Sequence, residues 1–345
     1  MKALRYFGPR DIRFDSMDDP VPIDDRDAIV KVDRCGICGS DLHIYHGNGF
    51  SEDVGFCIGH EAVGEVIEIG RGVRRLKVGA KVMLSAAVGC GACVSCLAGN
   101  VVNCATDASS CYGLSHRLEG SQAEAVRVPA ADFNAAVIPD GISLNQALML
   151  TDGMATAWFG CRNANISSGK TVAVIGLGPI GLMAVESALL MGAARVFAID
   201  LVRQRCALAE TLGAIGLHPV DVVETVREAT GGRMVDCIVE AVGADATISL
   251  ALKLVAKRGF VSVIGVSQSR HFAFPMKRAF AMGLTFRIGT CSVPEHWPEL
   301  IPLIQSGLLR PERYISHFLP LKEGVRAYEM FDTRTDGTLK VILVN

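Results

Sequence analysis

Four cysteines, Cys90, Cys93, Cys96 and Cys104, stand in a C-x-x-C-x-x-C run with seven residues before the last, among Gly89, Gly91 and Gly99. Thiols so spaced can wrap one ion, and four thiolates make a closed tetrahedral zinc site with no position left for chemistry. An iron–sulfur cluster also takes four cysteines, and four buried thiols that bind nothing are the bland alternative. The compact spacing favours structural zinc. A second set is dispersed: Cys35-Gly36-Ile37-Cys38-Gly39-Ser40-Asp41-Leu42-His43, then Gly59-His60-Glu61, then Leu150-Thr151-Asp152-Gly153-Met154-Ala155-Thr156. Taken singly, each reads blandly. Cys35 and Cys38 suit a redox pair or buried thiols, His60 a core histidine and Asp152 a helix N-cap.

A third constellation binds rather than reacts. The apolar run Thr171 to Ile175 leads into Gly176-Leu177-Gly178-Pro179-Ile180-Gly181 and then a helix-like stretch, which is G-x-G-x-x-G in the context a dinucleotide requires. The first glycine permits the turn, the second lets backbone approach a pyrophosphate, and the third lets helix pack on strand. The helix N-terminus offers N–H groups to the phosphates. Asp200 closes the next apolar run, where a carboxylate can bind ribose hydroxyls and repel a 2′-phosphate, so NAD is favoured over NADP. Arg203 and Arg205 pull the other way, since either could pair with a phosphate.

These residues need two kinds of scaffold. Up to about residue 150, short alternating runs such as Ala28 to Val32 and Ala62 to Gly70 lie between Gly, Pro, Asp and Asn clusters, the pattern of antiparallel strands and turns. From about Lys170 the rhythm becomes strand, helix, strand. Helix candidates at Pro179 to Met191, Arg203 to Leu212 and Asp245 to Val255 alternate with apolar runs at Val196 to Ile199, Val235 to Val239 and Gly259 to Ile264. That is the signature of a doubly wound parallel sheet. After Gly289 come a helix candidate, Trp297 to Gln305, and a terminal strand, Leu339 to Val344.

Composition bounds the function. The chain has 345 residues, 34 basic against 36 acidic, with neither sign clustered, which argues against nucleic-acid and membrane partners and for small-molecule chemistry. The first residues, Met1 to Pro9, lack the apolar stretch of a secretory signal, so a cytoplasmic location is expected. In that reducing setting most of the 12 cysteines should be metal ligands or plain thiols.

Together, Cys-Gly-Ile-Cys-Gly-Ser-Asp at 35 to 41, Gly-His-Glu at 59 to 61, the four-cysteine lobe and the glycine loop resemble, in order and spacing, the medium-chain zinc-dependent alcohol dehydrogenases. The resemblance covers nearly the whole chain. It implies an α/β protein with a GroES-like, zinc-binding catalytic domain at 1–153, an NAD-binding Rossmann domain at 154–289 and a return segment at 290–345. It implies two zincs: a structural one on Cys90, Cys93, Cys96 and Cys104, and a catalytic one on Cys38, His60 and Asp152. Glu61 would be a supporting carboxylate or exchangeable ligand.

Asp152 departs from the branch that uses cysteine as third ligand and is similar to the secondary-alcohol branch. The implied reaction is hydride transfer between NAD(H) and a secondary or aromatic alcohol and its ketone or aldehyde (EC 1.1.1.-), with a polyol or diol as alternative substrate. A proton path through Ser40 and the cofactor ribose to His43 is implied too. Thr156, Gly176, Gly178, Pro179, Ile180, Gly181, Asp200, Arg205, Val242, Gly265 and Val266 would form the cofactor site, and a homodimer or homotetramer is expected. Phe50, Tyr112, Trp158 and Cys291 are candidate pocket walls, equally suited to ordinary core. A zinc or redox sensor that binds nucleotide without turnover is the alternative from another class; it would have no evident use for Ser40, His60 and Asp152.

Overall fold

The computed structural model describes residues 1–106 and 110–345. The chain divides into two compact units, Met1–Ala155 with Cys291–Asn345, and Thr156–Thr290.

The discontinuous unit is built around the strand Ala28–Ile37. It pairs antiparallel with Glu61–Ile69 along one edge, and with Ala125–Val128 and then Val341–Val344 along the other. Lys81–Leu84, Ala135–Val137 and His317–Pro320 complete a seven-stranded sheet. Two register shifts against Glu61–Ile69 bend the central strand, as bulges do, while its last residues stay paired with Val341–Val344. Val30, Val32, Ile37, Val66, Val82, Leu84, Val341 and Leu343 form much of the core.

The two ends of the chain therefore meet: Leu343 stands opposite Cys35, Ile342 opposite Gly36 and Val341 opposite Ile37. The terminal strand begins at Val341 rather than at the expected Leu339. The amides of Leu339 and Lys340 are taken by Ser316 Oγ (2.9 and 3.2 Å) instead of a ladder partner. The first helix of the returning segment runs Val293–Gln305, four residues longer at its start than the apolar spacing suggests. Pro298 and Pro302, which argue against a helix interior, sit on its exposed side.

The continuous unit is a six-stranded parallel sheet. Its order is Ile215–Leu217, Arg195–Ile199, Thr171–Ile175, Val235–Glu240, Val255–Val263, Thr285–Ile288. The strand order reverses direction beside Thr171–Ile175, the arrangement of a dinucleotide fold whose ligand lies beyond the strands' carboxyl ends. Ile215–Leu217, the amphipathic helix Val222–Ala229, the helix Met276–Met282 and the strand Thr285–Ile288 add to the elements read from the sequence.

Leu343 is wholly buried where the returning strand meets Cys35. Leu343→Ala should cost about 2–5 kcal/mol of stability, read as a lowered denaturation midpoint with little change in far-ultraviolet dichroism.

Candidate functional site

Cys38 follows immediately on the end of the central strand and precedes the short helix Asp41–Tyr45. His60 precedes the neighbouring strand, and Glu61 is that strand's first residue. Asp152 sits between the helices Leu144–Leu150 and Gly153–Asn163. The first of these is fixed by a capping box of Ser143 and Gln146. The turn that follows is pinned where Trp297 Nε1 donates to Leu150 O (3.0 Å) and Ala86 N to Thr151 O (3.1 Å).

Three segments distant in sequence thereby bring Cys38, His60, Glu61 and Asp152 together, one ligating atom from each lying within 4.8 Å of the others. Asp152 Oδ2 is 3.4 Å from Cys38 Sγ and 3.3 Å from His60 Nε2. Tetrahedral zinc with donors at about 2.0–2.3 Å needs donor separations of roughly 3.3–3.8 Å, and both of these separations fall in that range.

The electrostatics also fit a cation. Burial disfavours charge on His60, but Asp41 and Asp152 outweigh it and hold the imidazole pKa well above its ordinary value. A pocket that favours positive charge on the ring in this way also suits a metal ion, which competes with a proton for the same nitrogen. Burial raises the Cys38 thiol, and Asp152 adds to the rise.

Asp41 works behind the ligands: its Oδ2 accepts from the Cys38 N–H (2.9 Å), and its Oδ1 lies 3.0 Å from His60 Nδ1, though out of line for a hydrogen bond. Such a carboxylate behind a ligating histidine orients the ring toward the metal. Glu61 is engaged elsewhere. Its two oxygens accept from Lys340 Nζ at 2.6 and 2.5 Å, and the same ammonium donates to Ile37 O at 3.0 Å. Burial works against the Lys340 charge, but Glu61 outweighs it and raises the pKa.

The four-cysteine loop closes on itself. Cys90 and Cys96 sulfurs stand 4.0 Å apart, and those of Cys93 and Cys104 3.8 Å, close to the roughly 3.8 Å edge of a tetrahedron of zinc–sulfur bonds. Backbone N–H groups already point at the sulfurs: Ala92 and Cys93 at Cys90, Cys96 and Ala105 at Cys93, and Cys90 at Cys104. They stabilise thiolate. Burial acts to raise Cys104, yet the Thr106 hydroxyl and the Cys90 amide bring it down to about 6, while burial pushes Cys96 up to about 12. Asn134 clamps the loop's entry, accepting from Gly89 N and donating to Gly89 O.

In the continuous unit the glycine loop shows why its residues are small. Gly176 has φ +88°, and a Cβ on Gly181 would stand 1.7 Å from Gly176 O, so neither position admits a side chain without rearrangement. A Cβ on Gly178 would meet nothing within 4 Å, which leaves its backbone open to a ligand. Pro179 and Ile180 begin the helix Pro179–Leu190 with Gly178 as its N-cap. Asp200 Oδ2 accepts from Leu177 N (2.6 Å) and Oδ1 from Val202 N (2.8 Å), tying the acid to the loop. Arg203 and Arg205 lie in the first turn of the following helix. Glu240 receives Val242 N and Gly243 N, which shapes the next strand end, and Gly265 fits against Gly243 with no room for a Cβ. Val242 and Val266 are exposed, and Thr156 is buried.

Of the remaining candidates, Ser40 Oγ lies 3.5 Å from His60 Nε2, and His43 is half-buried. Tyr112, Trp158 and Cys291 are buried, whereas Phe50 is exposed. Sequence reasoning missed Lys340 and the bridging role of Asp41. A lysine in the otherwise apolar run Leu339 to Val344 was the available signal for the first.

Residues 24–140 match the alcohol dehydrogenase GroES-like domain, and residues 179–306 match the zinc-binding dehydrogenase family. The chain is 42% identical over 344 residues to the Mycobacterium tuberculosis protein named "Probable zinc-binding alcohol dehydrogenase Rv1895", covering 99% of this chain and 88% of that protein. An alcohol dehydrogenase of Cupriavidus necator is 35% identical over 366 residues, covering 99% and 98% of the two. Among solved structures, the alcohol dehydrogenase TADH from Thermus sp. ATN1 superimposes with TM-score 0.94 at 38% identity, over 100% of this chain and 99% of that one. With these likenesses, the two donor sets are a four-cysteine structural zinc site and a catalytic zinc site of cysteine, histidine and carboxylate.

Lys340→Met leaves the Glu61 carboxylate buried without its partner and should lower stability by about 3–5 kcal/mol. The double variant with Glu61→Gln should recover most of that loss, and denaturant titration of the three proteins checks both expectations.

Proposed function

This chain belongs to the medium-chain zinc-dependent alcohol dehydrogenase family, and from that premise we propose that it oxidises a secondary or aromatic alcohol to its ketone or aldehyde, and reverses the reaction, with NAD(H). The family membership makes it an NAD(P)-linked oxidoreductase, EC 1.1.1.-. The observation that carries the finer reading is the Cys38, His60, Asp152 donor set, with Glu61 held aside by Lys340. We assign Cys38, His60 and Asp152 as ligands and Glu61 as the supporting carboxylate. A polyol or diol is the neighbouring alternative.

Zinc held there supplies a Lewis acid that lets an alcohol lose its proton near neutral pH, and the nicotinamide supplies the hydride acceptor. The chain's own groups do the rest. Cys38, His60 and Asp152 would hold the ion, and the substrate oxygen would bind beside them. Ser40, beside His60, would take up the hydroxyl proton, and the half-buried His43 would be the group that finally holds it. Burial lowers the His43 pKa, with His46 adding to the fall, which favours the neutral form of the ring that can accept a proton. The glycine loop, with the Gly178 backbone open and the helix N-terminus behind it, takes the pyrophosphate. Both Asp200 oxygens keep a lone pair beyond their backbone partners for the ribose hydroxyls, which supports NAD. Thr156, Val242, Gly265, Val266 and Arg205 would line the cofactor site.

The assembly is read as a homo-oligomer, dimer or tetramer. The edge strand Thr285–Ile288 leaves Ile288 exposed, and the helix Met276–Met282 presents Met276 and Phe280 to solvent, an apolar surface suited to a second copy. No helix among the described residues is long and apolar enough to cross a membrane, and metal-binding thiols suit a reducing cytoplasm.

Purified protein should contain two zincs per chain by elemental analysis. A screen of alcohols and ketones with both cofactors, followed by nicotinamide absorbance, tests the substrate class; turnover confined to polyols selects the alternative. Cys38→Ala and Asp152→Ala should abolish turnover while NADH fluorescence titration still shows binding, and retained turnover in either removes that ligand. Asp200→Gly should narrow the preference for NAD over NADP by about tenfold, measured as the ratio of the two kcat/KM values.

A further inference from the structure

One buried glutamine touches both arms that carry the first two donors. The backbone of Gly120, Ser121 and Gln122 hydrogen-bonds to the carbonyls of Cys57, Gly59 and Ile58, so Gln122 lies alongside the segment that delivers His60. Its side chain is wholly buried and crosses to the other arm, where Nε2 donates to Gly36 O (2.9 Å), two residues before Cys38. On the His60 side the packing is as close as it can be: a Cβ on Gly59 would stand 2.3 Å from Gln122 Cγ. The amide cannot turn freely. Gly36 O can only accept, so the NH₂ faces it, and Oε1 is left to accept the Tyr328 hydroxyl at 2.9 Å. Tyr328 is also wholly buried, on the helix Gly324–Thr333 of the returning segment, and its ring lies 5.7 Å from that of Tyr45 in the helix that follows Cys38.

Asp41 joins the Cys38 and His60 arms at the donors themselves, and Gln122 joins them one and two residues further back. We propose that Gln122, locked by Tyr328, is a positioning residue for the catalytic zinc: it sets the separation of the Cys38 and His60 arms and so the fit of the site to the ion. An apolar side chain of the same length would fill the space equally well, yet it would remove the Gln122 donation to Gly36 O and let the cysteine arm drift. The inference rests on the assignment of Cys38 and His60 as ligands.

The structural zinc of the same chain is the internal control. Gln122→Met and Tyr328→Phe should be prepared as zinc-loaded full-length protein. Release of each zinc to a chromogenic chelator is then followed, with iodoacetamide labelling of Cys38 against Cys90, Cys93, Cys96 and Cys104 to show which ion has left. Gln122→Met should release the catalytic zinc about tenfold faster or more, with the structural zinc unchanged, and cobalt placed in the catalytic site should show shifted visible bands. Tyr328→Phe keeps the packing and frees the amide, so a smaller, several-fold acceleration of the same ion is expected. If the methionine variant does not fold, the phenylalanine variant decides. Release at the wild-type rate, or equal acceleration of both zincs, overturns the proposal, because general loosening would act on both sites. Wild-type protein holding a single zinc would instead remove the ligand assignment, and the proposal with it.

Discussion

A thiol, an imidazole and two carboxyl groups within 4.8 Å, all largely out of water, cannot all carry the charges their chemistry prefers unless positive charge is brought among them. The chain answers this in two ways. Lys340 neutralises Glu61 permanently, through contacts to both its oxygens. In the proposed ligand set the other three groups would be balanced by zinc, and the carboxylates beside His60 already favour positive charge there. The same repulsion that would unsettle an apolar core is thus what gives the site its affinity for a cation.

That arrangement constrains the sheet around it. The ammonium that neutralises Glu61 belongs to the returning segment, and its strand must run antiparallel to the central one for Lys340 to reach both Glu61 and Ile37 O. The end of the central strand places Cys38 just beyond the ladder, and Asp41 then fixes it against His60. The third donor comes from a turn held by Trp297, again from the returning segment. Splitting this unit in sequence is therefore part of building the site, since two of its fixings arrive only when the chain comes back.

How much of this could be read in advance follows from distance along the chain. The four cysteines lie within fifteen residues, and the glycine loop with its flanking strand is contiguous, so local spacing carried their meaning. The parallel sheet was legible because its inner strands carry apolar runs at 172–175, 196–199 and 237–239. Lys340 to Glu61 spans 279 positions and Tyr328 to Gln122 spans 206, and no periodicity reports a partner that far away. The start of Val293–Gln305 was hidden for a different reason. Its prolines sit on the solvent side, where the lost N–H costs little, so a sequence sign of helix breaking was overridden by position. Leu339 was assigned to a strand on apolar character, but Ser316 takes its amide.

The two zinc sites differ in the same respect, and the difference bears on what each can do. The cysteine lobe is held by its own amides, with Asn134 and Arg26 steadying its entry at Gly89 and Cys90, so its geometry is largely local. Four thiolates in such a loop close around the ion and hold it. The catalytic set depends on strands and turns that meet only in the finished fold, and its donors are drawn from three separate segments. A site assembled in this way can keep a corner open, because the ion does not have to gather the loop around itself. Its openness to substrate is maintained by the surrounding hydrogen bonds of Asp41, Lys340 and Gln122, rather than by the ligands alone.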